Sequence, residues 1–296
     1  MKPLRVMAGG VVATLLLGQC VSATTFYVAP DGSDAWSGQF ASVNRLRTDG
    51  PLASLLAARD AVRRLKAKGP LAEPVRVVIA EGRYTLAETL TFTAEDGGTE
   101  KCPVVYEAAA GARPVLSGGR VIKGWKHEGA GIWKAPCPIP NTRQLYLDDK
   151  RVIRARLPVP AGLELFGNDG YRTSDLKVLQ WRNVADIEFC YLVTWAHSRC
   201  KVASIQPDTA DKAKVVITMQ QPTFTMARTK EGVQVALPNY IENVFEGLTQ
   251  PGTWYLDRPT QTIYYKPRPG EDLTKALVVA PALETLVEVR GSLDRP

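Results

Sequence analysis

Four short β-type runs, VRVVIAEG (75–82), TLTFTAED (89–96), PVVYEAAA (103–110) and PVLSGG (114–119), follow one another with no tight hairpin turn and no helix between them. Each ends in glycine or in small and acidic turn residues. Their starts, at 75, 89, 103 and 114, step by 14, 14 and 11 residues. An antiparallel meander needs tight turns, and a doubly wound sheet needs crossover helices. A chain wound into a solenoid, each turn stacked on the last, needs neither.

The segment ahead of these runs predicts one helix, Pro51 to Lys68, started by Asp49-Gly50-Pro51 and ended by Gly69-Pro70. Leu52, Leu55, Leu56, Ala58, Val62 and Leu65 fall on one stripe, and Arg63, Arg64, Lys66 and Lys68 load its last turns. A stacked coil exposes an open edge at its end, and a helix with one apolar face is the cap such a stack requires.

From Trp125 the pattern changes. RQLYLDDKRVIRARLP predicts a hairpin turning at Asp148-Asp149-Lys150, and WYLDRPTQTIYYKP a second one turning through Pro259 to Thr262. With ADIEFCYLVTW, RCKVASIQP and AKVVITMQQP these strands read as an antiparallel β-sandwich inserted into the solenoid. The short rhythm returns after Pro269, in ALVVAPALETLVEVRG. The predicted organisation is therefore a leader over 1–23, a cap and first coil over 24–124, an inserted domain over 125–270 and a return to the solenoid over 271–296.

The leader is read from Lys2 and Arg5, the apolar run Val6 to Gly18, and the small residues of Val21-Ser22-Ala23, which place the mature start at Thr24. This predicts a secreted, periplasmic or cell-surface protein with no transmembrane segment after cleavage. Cys20 raises lipidation as an alternative, against which Gln19 stands where a small residue is expected. The net charge of +7 is spread along the chain without clusters, which gives no reason to expect a nucleic-acid partner.

Beyond the leader there are four cysteines, Cys102, Cys137, Cys190 and Cys200, with no Cys-x-x-Cys spacing for a metal. Cys190 with Cys200 is the preferred disulfide, because their segments read as neighbouring strands; free buried thiols are the alternative. Two histidines are too few for a His-rich metal centre, and no Gly-x-Ser-x-Gly elbow appears. Asp31-Gly32-Ser33-Asp34 offers a structural calcium site, but it lacks the further spaced carboxylates of a full loop and reads more simply as a turn.

FYVAPDGSD (26–34), LLAARDAVRRLK (55–66), IAEGRYTLAETLTF (79–92), PVVYEAAAGARPVLSGG (103–119), GIWKAP followed by RQLYLDDKRVIRAR, and YIENVFEGLTQPGTWYLDRPTQTIYYKPRPGED (240–272) occur in this order. Together they resemble glycoside hydrolase family 141, enzymes with the right-handed parallel β-helix of the pectin lyase-like fold. The resemblance implies an all-β chain: the start of such a β-helix with an N-terminal capping helix, interrupted by an inserted antiparallel β-sandwich. It implies a carbohydrate-active protein acting on plant or algal polysaccharide, fucosidase-like or xylanase-like. The family often has Glu before the Trp of PGTWYLD; Thr253 stands there in this chain. In such enzymes most of the helix and the catalytic acids follow the segment LVEVRG. The resemblance therefore implies a catalytic pair downstream of Pro296, none within this chain, and no hydrolase activity from this stretch alone.

A β-helix suits glycoside hydrolysis because its coils are ~4.8 Å apart. Acids on adjacent coils lie ~5 Å apart, near the spacing of a retaining pair, and acids two coils apart lie at ~9.5 Å, near that of an inverting one. Glu81, Glu95, Asp96 and Glu107 are the only acids near the four runs, and each sits at a strand end or turn. The weak candidates for substrate binding lie in the insertion. Trp195, His197 and Arg199 in TWAHSRC combine a ring face with hydrogen-bonding groups suited to a sugar. Glu242 and Asn243 in YIENVFEG are placed to line a cleft. Two other functions remain open. A polysaccharide lyase on the same scaffold needs a groove lined by Lys or Arg, of which the first coil shows Arg76 and Arg83. A non-enzymatic, glycan-binding surface β-helix needs neither.

Overall fold

A computed structural model describes residues 23–193, 195–229 and 237–291. The leader predicted over 1–23, with Cys20, thus lies outside the described residues except for Ala23. The chain is mostly β, with two α-helices among the described residues, Leu55–Lys66 and Thr223–Thr229. It divides into two compact units: residues up to 84 with 89–117 and 287 onward, and residues 85–88 with 118–286.

In the first unit the strands Thr24–Val28, Val75–Ile79 and Val104–Ala108 form a three-stranded parallel sheet. Thr24 stands opposite Val75, and Val75 opposite Val104, and the register holds through Val28, Ile79 and Ala108. Alternate members of the four sequence runs therefore share this sheet. The run between them, Leu90–Thr93, pairs in parallel with Val287–Arg290, from Val287 opposite Leu90 to Arg290 opposite Thr93. Val75, Val77 and Ile79 are buried with Phe26 and Val28, as a period of two requires when one sheet face is covered.

The helix is shorter than the sequence predicts, Leu55–Lys66 rather than 51–68. Pro51 is not its first residue, because Leu52 is drawn into the sheet: it bridges Val28 in parallel, and its carbonyl accepts the Ala29 N–H. Ser54 is the N-cap, its Oγ accepting from the Ala57 N–H at 3.1 Å. Asp34 fixes that cap, since Oδ1 accepts from the N–H groups of Ala53 and Ser54 and Oδ2 from the Ser54 hydroxyl. Both oxygens of the carboxylate considered for calcium are thus engaged in holding the helix start. At the far end Arg63 grips buried Asp96 with two bonds of 2.6 Å, and Asp96 also accepts the Thr93 N–H at 2.7 Å. Burial alone would raise the Asp96 pKa, but the Arg63 guanidinium and the Thr93 N–H hold it below the usual carboxylate value.

The second unit contains two sheets. One is an eight-stranded, curled sheet in the order 119–121, 278–281, 145–147, 150–154, 253–257, 262–266, 132–136, 126–129. Both predicted hairpins are in it. Leu147 faces Lys150 across Asp148 and Asp149, both at left-handed φ (47° and 63°), and Asp257 faces Thr262. Trp254 and Tyr265 are buried cross-strand partners in its core with Leu145, Leu256 and Ile263.

The other sheet has seven antiparallel strands in the order 156–157, 240–242, 188–193, 196–207, 215–219, 170–173, 164–166. Its core is a separate cluster: Phe189, Tyr191, Cys200, Val202, Ile217 and Ile241 from the strands, closed by Val178, Trp181 and Phe224 from short helical segments. The two sheets therefore do not enclose one common core, as the sandwich expectation requires. The seven-stranded sheet buries its apolar face under its own helical cover, and its other face is polar.

Candidate functional site

Period-two alternation writes that polar face. Where Phe189, Tyr191, Cys200, Val202 and Ile241 point to the core, the intervening positions Glu188, Cys190, His197, Arg199, Lys201, Tyr240 and Glu242 point the other way. Cross-strand register gathers them. Glu188 stands opposite Glu242, Cys190 opposite both Arg199 and Tyr240, and Arg156 opposite Glu242.

Two carboxylates facing each other repel unless they are neutralised. Arg154, buried at the end of the Lys150–Arg154 strand, does this: Nη1 donates to Glu188 Oε2 at 2.9 Å and lies 4.0 Å from Glu242 Oε2. Arg143 Nη2 holds the other Glu188 oxygen at 2.8 Å. Arg156 donates from Nε and Nη2 to Glu242 Oε1 at 3.0 and 2.9 Å, and Arg199 Nε lies 3.5 Å from Glu242 Oε2. Burial pulls the Arg154 pKa down, opposed by Glu188 and Glu242; an arginine tolerates this without losing its charge.

Toward the strand ends the face opens to solvent. His197 Nδ1 is 3.1 Å from Arg199 Nη2, and Nε2 is 2.8 Å from the Tyr240 hydroxyl. A guanidinium only donates, so Nδ1 is the acceptor, and the neutral imidazole carries its proton on Nε2 and donates to Tyr240. Burial and the neighbouring Arg199 charge depress the His197 pKa. The Arg156 guanidinium lies over the Tyr240 ring, 4.2 Å from its centre. At the hairpin tip Trp195 is 66% exposed, and Leu192, opposite His197, is exposed as well.

The five sequence candidates thus separate. Trp195, His197 and Arg199 lie on one hairpin, and Arg199 reaches Glu242. Asn243 is buried at a left-handed φ of 59°. Its Oδ1 accepts from Arg154 Nε at 3.1 Å and its Nδ2 donates to the Asp186 carbonyl at 3.0 Å, so it braces the network from behind. The expected Cys190–Cys200 disulfide is not made, and both thiols are free. Phe189 is the partner of Cys200 and Arg199 that of Cys190, which puts the two sulfurs on opposite faces of the sheet. Sequence reasoning missed Glu188, Arg143, Arg154 and Arg156. The signal was present in RARL and IEF, where single charges alternate with residues that must be buried.

No family model matches the chain, and no curated protein matches it. A solved structure described as a glycoside hydrolase superposes on 92% of this chain with a TM-score of 0.76 and 26% sequence identity. This chain spans 48% of that one. A second, described as the complex structure of XylC with xylose, aligns over 89% of this chain and 32% of its own at 16% identity, with a TM-score of 0.34 too low to support any argument. Across nearly all of its length, this chain has a glycoside hydrolase-like fold.

Proposed function

We propose that this chain belongs to an exported glycoside hydrolase acting on plant or algal polysaccharide, with fucosidase-like or xylanase-like specificity. The observation that carries the reading is the superposition on a glycoside hydrolase over 92% of the chain. Within it, the first unit begins a right-handed parallel β-helix. The in-register parallel strands and the parallel return of Val287–Arg290 beside Leu90–Thr93 support this, as does the family 141 resemblance. The second compact unit, 118–286, supports an insertion with wider limits than 125–270.

The polar face of the seven-stranded sheet is the proposed glycan-binding surface. Trp195 offers a ring face, His197, Tyr240 and Arg199 offer hydrogen bonds to hydroxyls, and Glu242 and Asn243 fix their positions. The catalytic acids are proposed to lie outside these 296 residues. Coverage of only 48% of the matching chain supports this, and so does the use of Glu188 and Glu242 as arginine partners.

The test is a pair of measurements on the purified chain. Binding to xylan or to a fucosylated glycan is expected, and it should weaken about tenfold in Trp195→Ala; no release of reducing sugar is expected. Absence of binding to any plant or algal polysaccharide would overturn the reading. Turnover by this chain alone would overturn the placement of the acids.

A further inference from the structure

Lys201 continues the polar face of the Ala196–Pro207 strand beyond Arg199, and beside it lies a cleft of about 540 Å³. Three charged groups line it: Lys201, Asp186 and Arg258. Arg258 Nη1 donates to Asp186 Oδ1, and Lys201 Nζ stands 3.9 Å from the same oxygen. That distance is beyond hydrogen-bond reach, so among the described residues the ammonium has no acceptor at bonding distance. The Arg258 Nε–H is buried and likewise makes no hydrogen bond. Buried donors without acceptors are uncommon and mark a place where a partner is missing.

The remaining polar lining has the opposite character. Gln220 donates its amide to the Val202 carbonyl at 3.2 Å, and Gln261 donates to the carbonyls of Arg258 and Pro140 at 2.8 and 3.2 Å. Their side-chain NH₂ groups are thus engaged, which leaves the amide oxygens as acceptors. Pro140 and Pro259 complete the wall with apolar surface. Two cations against one carboxylate leave one positive charge. A single negative charge balances it, and a dianion overshoots.

We propose that this cleft is a subsite for a uronate residue of an acidic polysaccharide. The sugar carboxylate sits against Lys201 Nζ and the Arg258 guanidinium. Ring hydroxyls donate to the amide oxygens of Gln220 and Gln261, and the ring's apolar face lies on the proline wall. The assignment rests on the carbohydrate reading above and adds a charge requirement to it. A sulfate monoester carries the same charge as a carboxylate, so both must be probed.

The experiment is calorimetric titration of the purified protein with four probes: a neutral xylo-oligosaccharide, the same oligosaccharide bearing glucuronate, an oligogalacturonate, and a sulfated oligosaccharide. The uronate-bearing probes are expected to bind about tenfold more tightly than the neutral one, as a charge-assisted contact predicts. Lys201→Met should abolish that gain, bringing acidic and neutral probes to equal affinity, and Lys201→Arg should keep it. Chemical-shift mapping with galacturonate on the unaltered protein, centred on Lys201, Gln220 and Gln261, gives the same answer without a variant. A gain that survives Lys201→Met, or a gain for the sulfated probe alone, overturns the uronate assignment. Equal affinity for neutral and acidic probes overturns the subsite and leaves the carbohydrate reading standing. Failure of every saccharide to bind removes both.

Discussion

Glu188 and Glu242 stand directly opposite each other on adjacent antiparallel strands, and the guanidinium of Arg154 is 2.9 Å from the first and 4.0 Å from the second. All three side chains are buried. The pair is tolerable because Arg154 lies between its members while Arg143 holds the outer oxygen of Glu188 and Arg156 that of Glu242.

Removing Arg154 should therefore be among the most damaging single changes in the second unit. Arg154→Met is expected to cost about 3–5 kcal/mol, the penalty for stranding buried charge. Urea denaturation at neutral pH measures it. Adding Glu188→Gln to Arg154→Met should recover part of the loss; a double variant no more stable than the single would refute the coupling.

The Arg63–Asp96 clasp predicts a pH dependence. The Asp96 pKa is depressed in the folded chain, so its contribution is present above the unfolded carboxylate value of 3.8 and is lost as pH falls through the lower folded value. Asp96→Asn should cost about 1.5–3 kcal/mol at neutral pH, as hydrogen bonds to charged groups do. The gap between wild type and variant should close in strong acid, and a gap independent of pH would count against the ion pair.

His197 gives a second titration of known sign. Its folded pKa lies below the ordinary imidazole value of 6.5, because burial and Arg199 oppose the imidazolium. Protonation also removes the Nδ1 lone pair that accepts from Arg199. Folded-state stability from neutral His197 is therefore complete above 6.5 and declines as pH falls through the depressed value. An NMR titration should show a pKa below 6.5, rising in Arg199→Met. A value above 6.5 in the wild type would reverse the assigned hydrogen bonds.

Thiol chemistry checks the sheet register. Cys190 and Cys200 are fully buried, and burial pushes their thiols up to about 12 and about 11. Native alkylation should label partly exposed Cys102 first and leave Cys190 and Cys200 untouched until the chain unfolds. A mass shift on reduction, showing a Cys190–Cys200 bridge, would mean that the register is wrong.

Trp195 should be dispensable for folding. At an exposed hairpin tip, Trp195→Ala is expected to change stability by no more than ~0.5 kcal/mol. The same variant should weaken glycan binding by about tenfold, the loss of one stacking platform. A stability loss matching the binding loss would make Trp195 a structural residue.

Several elements were readable in the residues themselves. Asp148-Asp149 announces its hairpin because short acidic side chains tolerate the left-handed backbone a two-residue turn demands. The runs at 75 and 103 announce parallel stacking by their rhythm. The start of the helix was less legible. Pro51 looks like a first helical residue, but Leu52 gains more by pairing beside Val28, and Ser54 takes over as cap. The site was legible only in part. Trp195, His197 and Arg199 stand together in sequence, whereas Glu188, Arg154 and Arg143 come from a strand of one sheet, a strand of the other and a loop, and meet only through tertiary packing that no local pattern encodes. Cys190 and Cys200 misled for the same reason: neighbouring strands do not imply a shared face, and an offset of one residue put the sulfurs back to back.

The alternation of the seven-stranded sheet has an engineering consequence. Every second residue along Ala196–Val202, ahead of the bulge at Val202–Ser204, answers to the hydrophobic interior, and Tyr240, His197 and Lys201 on the other face answer to whatever approaches from outside. Tyr240, His197 and Lys201 can therefore be randomised together as a recognition palette, with Arg199 kept as the partner of buried Glu242. The sheet beneath them would keep its shape, provided that no deletion shifts the frame and exchanges the two sets.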